Sequence, residues 1–148
     1  MEKWLPLPEQ VLAKRLCATR LERGESEGYE VSEHGILLRI RGHMYDEMIL
    51  QFCAVADEYV ARTDNLSVFG DWDLTTSYDS AARNSTTRWF KDNRASTDRI
   101  YVCTRNRLVA MGTQVGAMAL SMVGLHVKVV SRDEMCEQLM LGLSSSGR

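Results

Sequence analysis

A single α/β domain, built on a central mixed β-sheet flanked by about four helices, is the architecture this sequence predicts. Three observations carry it. Apolar and polar residues alternate at period two in the first third, ending in Ile36-Leu37-Leu38-Arg39-Ile40-Arg41, which reads as a set of antiparallel strands. From Met44 onward, segments of helical period alternate with short apolar runs, and that alternation implies parallel strands joined by helical crossovers. Finally, 148 residues that are 45% apolar and 26% charged suffice for one core without a disulfide or metal staple.

Residues 1–14 read as an N-terminal arm holding both prolines, with one short helical turn at Glu9–Lys14. Its Trp4, Leu5 and Leu7 are expected to pack on the body, which spans residues 15–143. Leu16–Arg23 and Gly28–Val31 alternate on either side of a polar break, Gly24-Glu25-Ser26-Glu27. In the next strand Ile36, Leu38 and Ile40 share one face and Arg39 and Arg41 the other, the pattern of a half-buried strand that Gly42 ends. Tyr45, Met48, Phe52, Val55, Ala56 and Tyr59 then fall at helical spacing within Met44–Arg62.

Leu66–Phe69 opens the central buried strand, and Asp71–Ser80 reads as the loop from it into a helix that ends near Asn93. Arg99–Thr104 is a further strand. It feeds a helix near Arg107–Val123, whose Leu108, Met111, Val115, Met118 and Met122 read as its core face and whose Gly112, Gly116 and Ala119 form a ridge for close packing. Leu125–Val130 is the last strand. Ser131-Arg132-Asp133-Glu134 is a capping box, so Ser131 starts a final helix lined by Met135, Leu139 and Leu143. Residues 144–148 form a polar tail.

Several function classes drop out at this stage. A net charge of -2 gives no electrostatic footprint for nucleic acid or an anionic membrane. No apolar run approaches the roughly 18 residues of a membrane span, and Pro6 and Pro8 interrupt any leader pattern, so the expected location is cytoplasmic. Cys17, Cys53, Cys103 and Cys136 form no CxxC pair and sit in apolar patterns, as reduced thiols do. His34, His43 and His126 show no metal-ligand spacing, and neither metal nor cofactor is expected.

In open α/β sheets ligands bind where strands end and helices begin, which directs attention to residues 71–80. Asp71 and Asp73 supply polarity there, and Trp72 either plugs the edge of the sheet or stacks on a ligand. Thr75, Ser77 and Asp79 are first of all helix-cap chemistry, and with Ser80 they also offer hydrogen bonds or modification sites. Thr104 and Asn106, at the next strand-to-helix junction, complete the rim. Asp71-Trp72-Asp73-Leu74-Thr75 also has the spacing of the DxDx[TV] motif of haloacid-dehalogenase-type phosphatases, with Thr104, Lys128 and Asp133-Glu134 as candidate partners around Mg²⁺. That fold opens with its DxD strand, whereas strands and a helix precede it here, and the reading is the lesser one.

The order of elements, together with Asp79-Ser80-Ala81-Ala82, resembles the STAS family of anti-sigma-factor antagonists and the STAS-like group related to CRAL-TRIO domains, over residues 16–143. The resemblance implies a non-enzymatic regulatory module of bacterial type, which binds a protein partner or small ligand through the 71–80 loop and the following helix start. Asp79 and Ser80 match the first two positions of that family's approximate Asp-Ser-Ser-Gly motif. Its third position, the serine a partner kinase phosphorylates, is Ala81 here, and its glycine is Ala82. Ser80, Ser77, Thr75 and Thr76 are then the only substitutes. The CRAL-TRIO likeness implies the alternative of an apolar-ligand carrier, with Met111, Met118, Met122, Met135 and Met140 around a cavity. A homodimer is compatible with either reading.

Overall fold

The computed structural model describes residues 3–146, with side chains up to Leu143. Its six strands are β1 (Lys14–Leu21), β2 (Gly24–Ser32), β3 (Gly35–Met44), β4 (Leu66–Tyr78), β5 (Thr97–Cys103) and β6 (Val127–Val129). Its four α-helices are α1 (Asp46–Val60), α2 (Ser80–Asp92), α3 (Arg107–Ser121) and α4 (Arg132–Ser146), with short 3-10 turns at Glu9–Leu12 and Arg94–Ser96. The strands lie in one sheet in chain order, β1 to β6; β1, β2 and β3 pair antiparallel, and β3 to β6 pair parallel.

Chain order explains the layers. Each crossover from β3 to β6 steps the same way across the sheet, and crossovers of one hand then put α1, α2 and α3 on one face. Ile36, Leu38, Ile40, Leu66, Val68 and Ile100 pack there with Met48, Phe52, Tyr59 and Phe90. α4 follows no further strand and folds back over the other face, where Met135 and Leu139 meet Leu37, Phe69 and Tyr101. The N-terminal arm closes that second core with Leu7 and Val11. No helix among the described residues is long and apolar enough to cross a membrane. Of the expected polar tail, residues 144–146 continue α4, while 147 and 148, like Met1 and Glu2 of the arm, lie outside the described residues.

Four expectations are corrected. Gly24–Glu27 is not a break but the first part of β2, because Glu25 and Glu27 stand opposite Arg41 and Arg39 and pair with them at 2.5–3.1 Å. The arginine face of β3 is accordingly covered: Arg39 is only 7% exposed, and the Trp4 ring lies over both guanidinium groups at 4.4 and 4.5 Å. Gly42 does not end β3. It sits inside the strand at φ 78°, against the Arg23 carbonyl, and the register with β4 shifts just after it.

The fourth concerns α3. Its inward residues are Val109, Gly112, Gly116 and Leu120, and the glycines let the helix sit close above Tyr78 and Thr87. Leu108, Met111, Val115, Met118 and Met122, read from sequence as its core face, are 52–87% exposed. Both stripes of this helix are apolar, so periodicity alone could not say which one turns inward.

Candidate functional site at the ends of strands β3 and β4

β4 is the reason the expected 71–80 loop does not exist. It runs for 13 residues to Tyr78, because β3 extends beside it to Met44 and supplies a backbone partner throughout. Twice the register shifts so that β4 gains a residue, once between Asp71 and Leu74 and once between Thr75 and Ser77. At about 3.3 Å of rise per residue, Asp71 and Ser77 are roughly 20 Å apart. The residues expected to form one surface therefore fall into separate groups.

Asp71 and Asp73 lie under the start of α4. Arg132 Nη1 donates to Asp71 Oδ1 at 2.7 Å and to Asp73 Oδ2 at 3.2 Å, while its Nη2 donates to the Leu5 and Pro6 carbonyls at 3.0 and 2.9 Å. One guanidinium thus ties β4, α4 and the N-terminal arm. Burial works against its charge, but the carboxylates outweigh that and raise its affinity for the proton further. The buried Cys103 thiol donates to Asp71 Oδ1 at 3.5 Å, and burial followed by the two aspartates pushes its pKa well above the ordinary range. Asp71, Asp73 and Cys103 cluster tightly enough to hold a cation, but Arg132 already sits on both carboxylates. Arg105, at 3.9 Å from Asp73, adds a second positive charge.

Trp72 faces the opposite side of the sheet, over Gly70 and beneath α2 and α3. It helps line an apolar cavity of about 70 Å³ with Tyr78, Phe90, Val102 and Gly112. Its Nε1–H is buried and has no partner among the described residues. The cavity is well below the roughly 300 Å³ of a common ligand pocket. Of the methionines, only Met44 reaches it.

Thr75 is buried and donates to the Ile40 carbonyl at 2.8 Å, so it fastens β4 to β3. Thr104 and Asn106 serve the start of α3: Thr104 Oγ1 accepts the Asn106 N–H, and Asn106 Oδ1 accepts the Val109 N–H at 3.0 Å. Lys128 lies over the Tyr101 ring rather than near the aspartates.

The remaining group, Ser77, Asp79 and Ser80, gathers at the carboxyl ends of β3 and β4. Asp79 occupies the N-cap position of α2 yet makes no side-chain cap. Instead its Oδ1 meets His43 Nε2 at 2.7 Å and its Oδ2 accepts the Asp46 N–H at 3.1 Å. Those bonds, His43 first, hold its carboxyl below the usual range. A carboxylate only accepts, so Nε2 carries the hydrogen in the neutral ring, and Nδ1 accepts the Ser77 hydroxyl at 2.6 Å. Asp46, at the start of α1, accepts the Ser85 hydroxyl of α2 at 2.7 Å and extends the network. Four elements thus contribute polar side chains to one cluster. His43 is nearly buried, Asp79 is 38% exposed at its side chain, and Ser80, next in the chain, and Thr76 on β4 are exposed.

Sequence reasoning missed His43, which stands 34 positions from Ser77 with no local motif between them. Its only signal is the parallel pairing of β3 with β4, which sets His43 opposite Ser77. Arg132 was hidden inside a capping box, of which the structure keeps Ser131 Oγ accepting the Glu134 N–H at 3.2 Å.

The fold and this edge define an α/β domain whose mixed sheet carries a polar cluster at the ends of two adjacent parallel strands. No protein-family model matches the chain, and no match is found among curated proteins or solved structures.

Proposed function

We propose that this domain is a non-catalytic regulatory module of STAS-like, bacterial type, which docks on a protein partner at the carboxyl edge of β3 and β4. The observation that carries the reading is the turned Asp79. By binding His43 and Asp46 it leaves the first turn of α2 without a side-chain cap where the exposed Ser80 begins the helix, and Thr76 near the end of β4 is exposed as well. Uncapped N–H groups and the positive end of a helix dipole favour an acceptor or an anion from outside. The element order on which the resemblance rests, strands followed by α-β-α-β-α-β-α, agrees with it. Of the four hydroxyls that could substitute in the motif, Thr75 is buried and Ser77 is engaged by His43, which leaves Ser80 and Thr76. The test is co-purification from an extract of the source organism with wild type and with Ser80→Arg and Thr76→Arg as bait. A partner kept by wild type and lost from the variants is expected; one retained equally by all three would remove this edge from the interface.

A second reading has its own observation. Ser77, His43 and Asp79 form the hydrogen-bonded series of a nucleophile, a base and an orienting carboxylate, at 2.6 and 2.7 Å. Such a serine would attack an ester carbonyl. Labelling by a fluorophosphonate that disappears in Ser77→Ala and in His43→Ala would favour this reading over the binding module, and an unlabelled native protein would dismiss it.

A further inference from the structure

We propose that the exposed face of α3 is a two-fold interface between copies of this chain. Leu108, Met111, Val115, Met118 and Met122 follow one another at steps of three, four, three and four residues, the seam of a helix that packs along another helix. All five are more than half exposed, Met118 at 71% and Met122 at 87%. The fifteen residues of α3 carry one charge, Arg107, whereas α1 carries Asp46, Glu47, Asp57 and Glu58 on its outer turns. A helix with apolar residues on both faces belongs in an interior, and the folded chain covers only one of them.

Area favours a second copy as the occupant. The five side chains expose roughly 600 Å², the upper end of what a monomer leaves open and most of the ~800 Å² each partner buries in a stable complex. A two-fold axis lets the same stripe serve both sides. The charges choose the direction. Parallel helices would bring Arg105 and Arg107 against their own copies, while antiparallel helices set them near the negative carbonyl end of the partner's α3. The inward glycines, Gly112 and Gly116, are spent on packing against Tyr78 and Thr87 and are not part of this seam.

Sedimentation of the full chain across the micromolar range provides the test. A dimer is expected, and Met118→Glu and Met111→Glu should each raise its dissociation constant by more than about tenfold. Thermal unfolding followed by circular dichroism shows whether each variant stays folded, and Leu50→Glu, at another exposed apolar residue on α1, should leave the dimer intact. Arg107→Gln, which removes the charge from both copies, should weaken an antiparallel pair and strengthen a parallel one, so tighter association would overturn the assigned direction. A wild type that stays monomeric throughout, including one that binds anionic lipid vesicles instead, would overturn the proposal. So would a dimer that both α3 variants leave unchanged.

Discussion

Replacing Arg132 by methionine keeps the aliphatic stem and removes the group that holds three parts of the chain together. The structure allows the cost to be worked out. Asp71 and Asp73 have side chains only 6% and 5% exposed, Arg132 is 19% exposed, and its four charge-assisted hydrogen bonds include two to carboxylates. Breaking a buried pair by removing one partner leaves an uncompensated charge, which costs about 3–5 kcal/mol. Here two carboxylates lose their guanidinium, and Asp71 keeps the weak Cys103 thiol donor at 3.5 Å while Asp73 keeps the largely exposed Arg105 at 3.9 Å. Against a typical domain stability of about 5–15 kcal/mol, that is roughly a fifth or more of the total. Urea unfolding at neutral pH, followed by far-ultraviolet circular dichroism, measures it. Arg132→Lys should fall between the two, since an ammonium cannot reach two carboxylates and two carbonyls in one plane. Adding Asp71→Asn and Asp73→Asn to Arg132→Met should recover much of the loss. A loss below about 1 kcal/mol for Arg132→Met would refute the reasoning, because surface pairs are worth that little.

The inward glycines of α3 should respond with opposite signs. At Gly112 a Cβ would fall 2.5 Å from Tyr78 Oη and 2.6 Å from Cζ, so Gly112→Ala is expected to cost about 1–3 kcal/mol after displacing the ring, whereas Gly116→Ala, with Thr87 Oγ1 at 3.4 Å as its nearest neighbour, should gain about 0.5–1 kcal/mol from helix propensity. Thermal melts of the two variants decide this, and equal shifts would mean that α3 sits farther from β4. Glu27 lends stability with a defined pH sense. Burial opposes its charge, but the Tyr29 hydroxyl and Arg39 outweigh burial and hold its carboxyl below 4.5. Its contribution is therefore present above pH 4.5 and lost as pH falls through the lowered value. Glu27→Gln should be less stable than wild type by about 1.5–3 kcal/mol at neutral pH, with the gap closing in acid; a gap constant from pH 7 to 3 would contradict the pairing. At the other carboxylates, Arg132 pairs with both Asp71 and Asp73, the acids a phosphatase would use, so no Mg²⁺-dependent hydrolysis of p-nitrophenyl phosphate is expected. Turnover lost with EDTA or in Asp71→Asn would reopen that reading.

Which parts of this molecule could be read from its sequence follows from what fixes each part. The periods and their alternation set the sheet and its helices, since burial on a pleated strand or a helix face leaves its mark residue by residue. The limits of β4 were not written in β4. Gly70 to Tyr78 mixes acids, hydroxyls and a lone tryptophan and looks like a loop, yet it stays extended because Leu38 to Met44 lies alongside. The same holds for β2, whose Glu25 and Glu27 read as a turn until Arg41 and Arg39 stand opposite them. Strand identity at these places belongs to the pair rather than the segment.

The candidate site was legible in half for the same reason. Ser77, Asp79 and Ser80 announce themselves because a strand end followed by a helix start is a local pattern. Their partner His43 owes its place to register: Gly42, at φ 78°, admits the shift after which His43 lies opposite Ser77. A residue one position earlier or later on β3 would point to the other face of the sheet. The cluster therefore depends on a glycine that is not part of it. If Gly42→Ala forces φ negative, His43 should lose both Ser77 and Asp79, and α2 should lose the orientation of its N-cap residue. The imidazole nitrogens report this directly: ¹⁵N shifts of His43 should show one protonated and one bare nitrogen in wild type and tautomer averaging in the variant. Identical spectra would mean that the register at this edge is held by Thr75 and its bond to the Ile40 carbonyl rather than by the backbone of Gly42.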